Sequence, residues 1–270
     1  MKSILLYVHD DAGMESRLQS ALDVARATGG HIECVTAKPL AALMLADPFG
    51  STFIVPEAVQ AIDDAAKEAG DEISARMQRE DVRWSLLEGD GDPLDILSSR
   101  CRLNDLIMLS LPGQPHAGDP SPVVSLGDVA LSANAPVLAI PHEGGPIRIN
   151  GAAAIAWNGS REAANAMRAA VPLLSLASSV HLVTVAEKEM DFPPADAAAY
   201  LSRHGIKVEV HEEPRSDAPI VDTLVSILDR IGADWVVMGA YGHGRLREWL
   251  FGGVTRDLLG RARIPLLIAH

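Results

Sequence analysis

The stretch with the clearest chemical capacity is Met238-Gly239-Ala240-Tyr241-Gly242-His243-Gly244-Arg245-Leu246-Arg247-Glu248-Trp249-Leu250-Phe251-Gly252-Gly253-Val254-Thr255. An apolar run, Asp234–Ala240, leads into it, and a helix-like segment, Thr255–Arg263, leaves it. Amides at a helix start carry partial positive charge, and glycines let phosphate oxygens approach the main chain closely. Thr255 adds a hydroxyl, while His243, Arg245 and Arg247 add donors or positive charge, so the chemistry on offer is a phosphate cradle. A Walker A loop is excluded because no Gly-Lys-Ser/Thr triplet occurs. Gly242-His243-Gly244 opens a Rossmann-like spacing, but Arg247 stands where its third glycine belongs. Structural readings stand beside these: Thr255 suits a helix cap, Arg247 has Glu248 as a surface partner, and Trp249 and Phe251 suit packing beneath the loop.

Other chemistries find less support. Gly159-Ser160 lacks the glycine pattern of a nucleophile elbow, and no Ser/His/Asp or Cys/His set assembles, so no catalytic residue is assigned. The nine histidines form no H-E-x-x-H motif or comparable cluster in sequence, so no metal site is predicted. Gly89-Asp90-Gly91-Asp92-Pro93 reads as a turn with Asp92 capping a helix. Cys34 and Cys101 read as reduced core thiols. A net charge of −13, concentrated in residues 1–145, argues against nucleic acid as a partner. With no apolar run of about 18 residues and no leader pattern, the expectation is a cytoplasmic protein without membrane contact.

The elements that must position the loop appear twice. Ser3–Val8, His31–Ala37, Val82–Glu88, Asp105–Leu111 and Pro136–Pro141 read as strands, with helices at Glu15–Thr28, Asp92–Leu103 and Leu126–Asn134. The second half repeats the order with strands Ala152–Asn158, Val180–Ala186, Ile206–Glu212, Asp234–Ala240 and Pro265–Ala269, and helices Arg161–Ala177, Pro194–His204 and Ala218–Ile231. Asp105–Leu111 aligns on Asp234–Ala240 without a gap, and Pro136–Pro141 on Pro265–Ala269, which marks an internal duplication. The breaker Pro141-His142-Glu143-Gly144-Gly145-Pro146 divides the chain into 1–144 and 145–270. Lys38–Asp81 has no short counterpart; it holds a helix, Pro56–Glu80, after a looser apolar segment that suits a lid, a packing arm or an interface.

Gly239, two residues, Gly242, nine residues and Gly252 reproduce the G-2x-G-9x-G-S/T motif of universal stress proteins. The openings Tyr7-Val8-His9-Asp10 and Ala156-Trp157-Asn158-Gly159-Ser160 extend the likeness over essentially the whole chain, which resembles a tandem universal stress protein. The resemblance implies an α/β fold of two tandem, open-twisted, five-stranded parallel sheets, strand order 3-2-1-4-5, related by a pseudo-two-fold. It implies ATP, with or without Mg, or another adenine nucleotide across the ends of strands one and four of the second domain. Residue by residue, Ala156 and Asn158 fall near the ribose and adenine, Val185 beside the base, and Met238 and Gly239 between ribose and phosphates. Gly242, Gly252, Gly253, Val254 and Thr255 fall around the phosphates. Asn158 replaces the family's usual aspartate, and Gly253 replaces its Ser or Thr. In the first half Ser110 stands opposite Gly239 and Val123 opposite Gly252, so that half is expected to have lost the nucleotide. Pairing of the halves through their last strands is expected; a homodimer of whole chains, slow ATP hydrolysis and a nucleotide-free scaffold stay open.

Overall fold

The computed structural model describes residues 1–38, 44–46, 52–54, 56–111, 124–186, 190, 192–215, 217–240 and 258–270. In the first half β1 (Ser3–Tyr7), β2 (His31–Lys38), β5 (Arg83–Asp90), β6 (Leu106–Ser110) and β7 (Val137–Ile140) alternate with α1 (Met14–Thr28), α2 (Pro56–Met77), α3 (Pro93–Arg100) and α4 (Leu126–Ser132). A two-stranded ribbon, β3 (Met44–Ala46) and β4 (Thr52–Ile54), precedes α2. In the second half β8 (Ala152–Ala156), β9 (Ser179–Ala186), β10 (Val208–Pro214), β11 (Trp235–Gly239) and β12 (Leu266–Ala269) enclose α5 (Arg161–Leu174), α6 (Pro194–Arg203) and α7 (Ile220–Ile231).

Each half has the expected strand order, β5-β2-β1-β6-β7 and β10-β9-β8-β11-β12. The halves meet through their last strands, as expected: β7 and β12 pair antiparallel, Leu138 opposite Leu267, so that the two five-stranded sheets are continuous as one ten-stranded sheet. The physical reason is that both strands are wholly apolar at their shared edge, and each satisfies the other's unpaired backbone groups. Leu138, Val137, Leu267 and Ile268 are fully buried. A palindromic order with an antiparallel central pair is what a two-fold axis through that pair produces.

Helices cover both faces, as parallel strands require. Side chains of α1, α2, α5 and α6 share one buried cluster with the sheet, and those of α3, α4 and α7 share the other. The duplication extends to its polar details. Asp105 Oδ2 accepts the amide of Ser3 at 3.1 Å, and Asp234 Oδ2 accepts the amide of Ala152 at 2.8 Å, so in both halves a carboxylate ahead of the fourth strand fixes the start of the first. The halves also touch through the Ile147 amide, which donates to Ser20 Oγ of α1 at 3.0 Å in a buried setting. Asp92 caps α3 as expected, accepting from the Leu94 amide at 2.8 Å with Pro93 in the first turn. Cys34 and Cys101 are buried free thiols, and burial pushes the Cys34 thiol up to about 12. Among the described residues no helix is long and apolar enough to cross a membrane.

Because the central pair belongs to both halves, Leu267→Ala is expected to cost about 2–5 kcal/mol. Urea unfolding should show an earlier midpoint in one transition, with Trp84 of the first half and Trp235 of the second changing fluorescence together.

Candidate functional site

The crevice of an open parallel sheet lies at the carboxyl ends of its strands, beside the point where strand order reverses. In the second half that point falls between β8 and β11. Ala156 pairs directly with Met238 there, and Gly239 follows at the strand end. Val185 lies on the neighbouring strand, two residues beyond Val183, which pairs with Ala156. Of the residues singled out in sequence, the fold therefore brings Ala156, Asn158, Val185, Met238 and Gly239 to one end of one sheet. Gly242, His243, Arg245, Gly252, Gly253, Val254 and Thr255 lie outside the described residues.

The chain leaving β8 is held by a series of local bonds. The Trp157 amide donates to the Val183 carbonyl at 2.8 Å, and Trp157 Nε1 donates to the Phe192 carbonyl at 3.0 Å. Asn158 Oδ1 accepts from the Ser160 amide at 3.1 Å, and Ser160 Oγ accepts from the Ala163 amide at 3.2 Å. Ser160, not Asn158, is thus the cap of α5. Asn158 is exposed and braces the turn, with its carboxamide nitrogen left to donate elsewhere. Gly159 sits at φ 73°, a conformation side chains resist, with the Phe192 carbonyl 3.0 Å from where a Cβ would stand.

Gly239 is required by space. A Cβ there would overlap the Ala163 amide nitrogen and lie 2.6 Å from the Glu162 carbonyl carbon and 2.9 Å from the Ala163 Cα. The strand end therefore crosses directly over the first turn of α5, bringing the positive end of that helix to the crevice.

The equivalent corner of the first half is built oppositely. Ser110 keeps a side chain where the second half has Gly239, and the close approach is accommodated by Gly13, whose Cβ would collide with Ser110 Oγ. Into this corner α1 sends Arg17, 1% exposed. Its Nε donates to the Tyr7 carbonyl at 2.9 Å, its Nη1 to Ser110 Oγ and to Asp11 Oδ1, and its Nη2 to Asp11 Oδ2 at 2.9 Å and the His9 carbonyl at 3.3 Å. Asp11 Oδ1 also accepts the Gly13 amide at 2.8 Å. Burial alone would raise the Asp11 carboxyl, but the Arg17 hydrogen bonds and charge, with the Gly13 amide, outweigh it and hold the carboxyl below its ordinary value. Burial likewise pushes the Tyr7 phenol up to about 12, against the opposing pull of Arg17. The Tyr7 and His9 rings stack at 5.8 Å over the same strand end. A guanidinium and a carboxylate therefore occupy the first half's switch point from within.

Residues 153–270 match the model of the universal stress protein family. Over that stretch the chain is similar to a universal stress protein domain. A universal stress protein from Archaeoglobus fulgidus superposes on the whole chain with a TM-score of 0.76, at 16% identity, covering 99% of this chain and 96% of that one. A functionally unknown protein from Pseudomonas aeruginosa superposes with a TM-score of 0.62 at 14% identity, covering 100% of this chain and 92% of that one. Universal stress proteins thus share the α/β fold of both halves; no curated protein matches the chain.

Sequence reasoning missed Arg17, because a lone arginine in an amphipathic helix gives no sign of which way it points. It also missed His181, Glu209 and His211, which the sheet brings together from two strands. The alternation Glu209-Val210-His211 places two of them on one face, but only the register of β9 against β10 supplies the third.

Arg17→Met would leave a partly exposed carboxylate without its cation, and Ser110 and two carbonyls without their donor, and is expected to cost about 1–3 kcal/mol at neutral pH. The folded Asp11 titrates below its unfolded value, so the pair's stabilisation is complete above the unfolded carboxylate pKa and is lost as pH falls through the folded one. In the variant, burial without a partner favours the protonated acid. Chemical unfolding of both proteins across the carboxylate range should therefore show the gap between them narrowing toward acid pH.

Proposed function

We propose that the second domain, residues 145–270, binds one adenine nucleotide, ATP, across the carboxyl ends of β8 and β11, and that the first domain, residues 1–144, binds none. The observation that carries this reading is the contrast between two copies of one corner. In one, Gly239 clears the space over the first turn of α5, and the residues of the family motif follow directly. In the other, Arg17 and Asp11 fill the place with an internal ion pair.

In this reading the base lies against the main chain at Val185 and beside Ala156. The Asn158 carboxamide donates to a ribose oxygen, because its carbonyl is committed to Ser160. Met238 and Gly239 pass the ribose, and the phosphates, with Mg where it accompanies them, meet the amides of Gly242, Gly252, Gly253 and Val254, the Thr255 hydroxyl, His243 and Arg245. Asn158 in place of a carboxylate lessens repulsion of the phosphates while giving up a charged acceptor for ribose hydroxyls. The domain's output is a nucleotide-dependent conformation in the cell's cytoplasm, read by a partner, rather than a chemical product.

Equilibrium dialysis of labelled ATP against the full chain tests the reading. One nucleotide per chain is expected, with at least a tenfold loss of affinity in Gly252→Val and in Gly239→Ala, whose Cβ collides with helix backbone. No uptake at millimolar ATP, or two nucleotides per chain, rejects it.

A further inference from the structure

At the outer edge of the second half, on β10 and β9, three side chains with metal-ligating atoms converge. Glu209 of β10 stands opposite His181 of β9 in the parallel register, and His211 lies two residues along β10 on the same face. His181 Nδ1 is 3.1 Å from His211 Nε2, and the two Glu209 carboxylate oxygens lie 3.7 Å from those two nitrogens, one from each. We propose that His181, Glu209 and His211 form a binding site for a zinc-type divalent ion.

The spacing argues for it. An ion holding nitrogen and oxygen ligands at about 2.0–2.2 Å sets them roughly 3.0–3.6 Å apart in tetrahedral to octahedral geometry. The two imidazole nitrogens, 3.1 Å apart, fall within that range; with one oxygen taken from Glu209 the three ligand atoms lie within 4.8 Å of one another, so a rotation of the exposed Glu209 side chain closes the set. Two imidazoles and a carboxylate suit zinc, copper or nickel rather than magnesium or calcium, which favour oxygen ligands alone. The histidines are only 12% and 17% exposed, so their rings are fixed by packing, whereas Glu209, at 68%, faces water and leaves the remaining coordination positions open to solvent.

A supporting residue is in place. Ser179 Oγ lies 3.0 Å from His181 Nε2. With Nε2–H donating to that hydroxyl, His181 presents the Nδ1 lone pair to the cluster, the arrangement by which an outer partner selects the ligating tautomer. That lone pair faces His211 Nε2 at 3.1 Å, and an ion seated between the rings takes one nitrogen from each.

The site is separate from the proposed nucleotide. Val185 lies four residues beyond His181 and two beyond the level of His211, about 13 and 7 Å at ~3.3 Å per residue, and β8 stands between this pair of strands and β11, whose end leads to the phosphate loop, so this ion is not one that accompanies the phosphates. The first half has no counterpart in sequence: its third strand, Arg83–Asp90, carries Ser85 and Leu87 where β10 has Glu209 and His211 in the strand alignment.

The experiment is a calorimetric titration of Zn2+ into the chelator-stripped full chain without nucleotide, with imidazole proton resonances followed by NMR. One saturable ion is expected, shifting the ring signals of two histidines and leaving those of the other histidines in place. His181→Asn and His211→Asn should each weaken binding by more than about 100-fold, beyond the 10–100-fold usual for an outer partner such as Ser179→Ala. Glu209→Gln should weaken it less than either histidine change. Absence of saturable uptake, or uptake unchanged in a folded His181→Asn or His211→Asn protein, overturns the assignment. Should those variants fail to fold, the wild-type spectrum decides: zinc that shifts no histidine pair, or a pair other than these two, overturns it equally.

Discussion

The arrangement of the whole molecule hangs on one antiparallel contact, β7 against β12. An unpaired apolar edge strand invites association with any other such edge. Here each half ends in one, and the two ends meet within the chain. Parallel order on either side and reversed order across the middle both follow, as do the two helical layers that run over the junction. The strands left at the outer margins, β5 and β10, are the charged ones, Arg83-Trp84-Ser85-Leu86-Leu87-Glu88-Gly89-Asp90 and Val208-Glu209-Val210-His211-Glu212-Glu213-Pro214. Their polar alternation blunts the remaining edges.

Within this frame the two halves have diverged at one corner while keeping their scaffolding. Asp105 and Asp234 do the same work at the opposite end of the sheet, each holding the start of the first strand to the fourth. At the strand ends the duplicated geometry has been solved in two ways. One copy gives up a side chain on the strand, at Gly239. The other gives it up on the loop, at Gly13, keeps Ser110, and uses the freed hydroxyl to help hold Arg17. The same backbone crossing therefore ends in an open helix start in one half and a neutralised internal charge in the other.

Much of the architecture was legible because it is written in period and repetition. Alternating apolar runs and amphipathic stretches gave the succession of strands and helices in each half, the likeness to universal stress proteins implied their order in the sheet, and the gapless match of Asp105–Leu111 to Asp234–Ala240 gave the duplication. That the halves would meet through β7 and β12 was expected from the likeness, while the antiparallel register that makes the sheet continuous is a matter of edge geometry that a strand pattern does not encode. Asp92 was readable as a cap because a carboxylate ahead of proline has few other uses there. Ser160 was harder: Asn158 competes for the same task, and only backbone direction decides between them. The cluster His181, Glu209 and His211 was invisible for a different reason, since residues 28 and more positions apart meet only through register, which sequence spacing cannot state.

The Arg17 pair also bears on how the two copies can change from here. Its guanidinium is shared among Asp11, Ser110 and the carbonyls of Tyr7 and His9. Removing any one partner leaves the others with unmet bonds at a partly buried corner, so single replacements within the network are less stable than the intact set. Gene duplication made two equal lobes; once this network formed, reversion needed several replacements at once. The asymmetry between the lobes is thereby ratcheted, the first corner locked by a shared charge and the second left with only Gly239 over the start of α5 among the described residues.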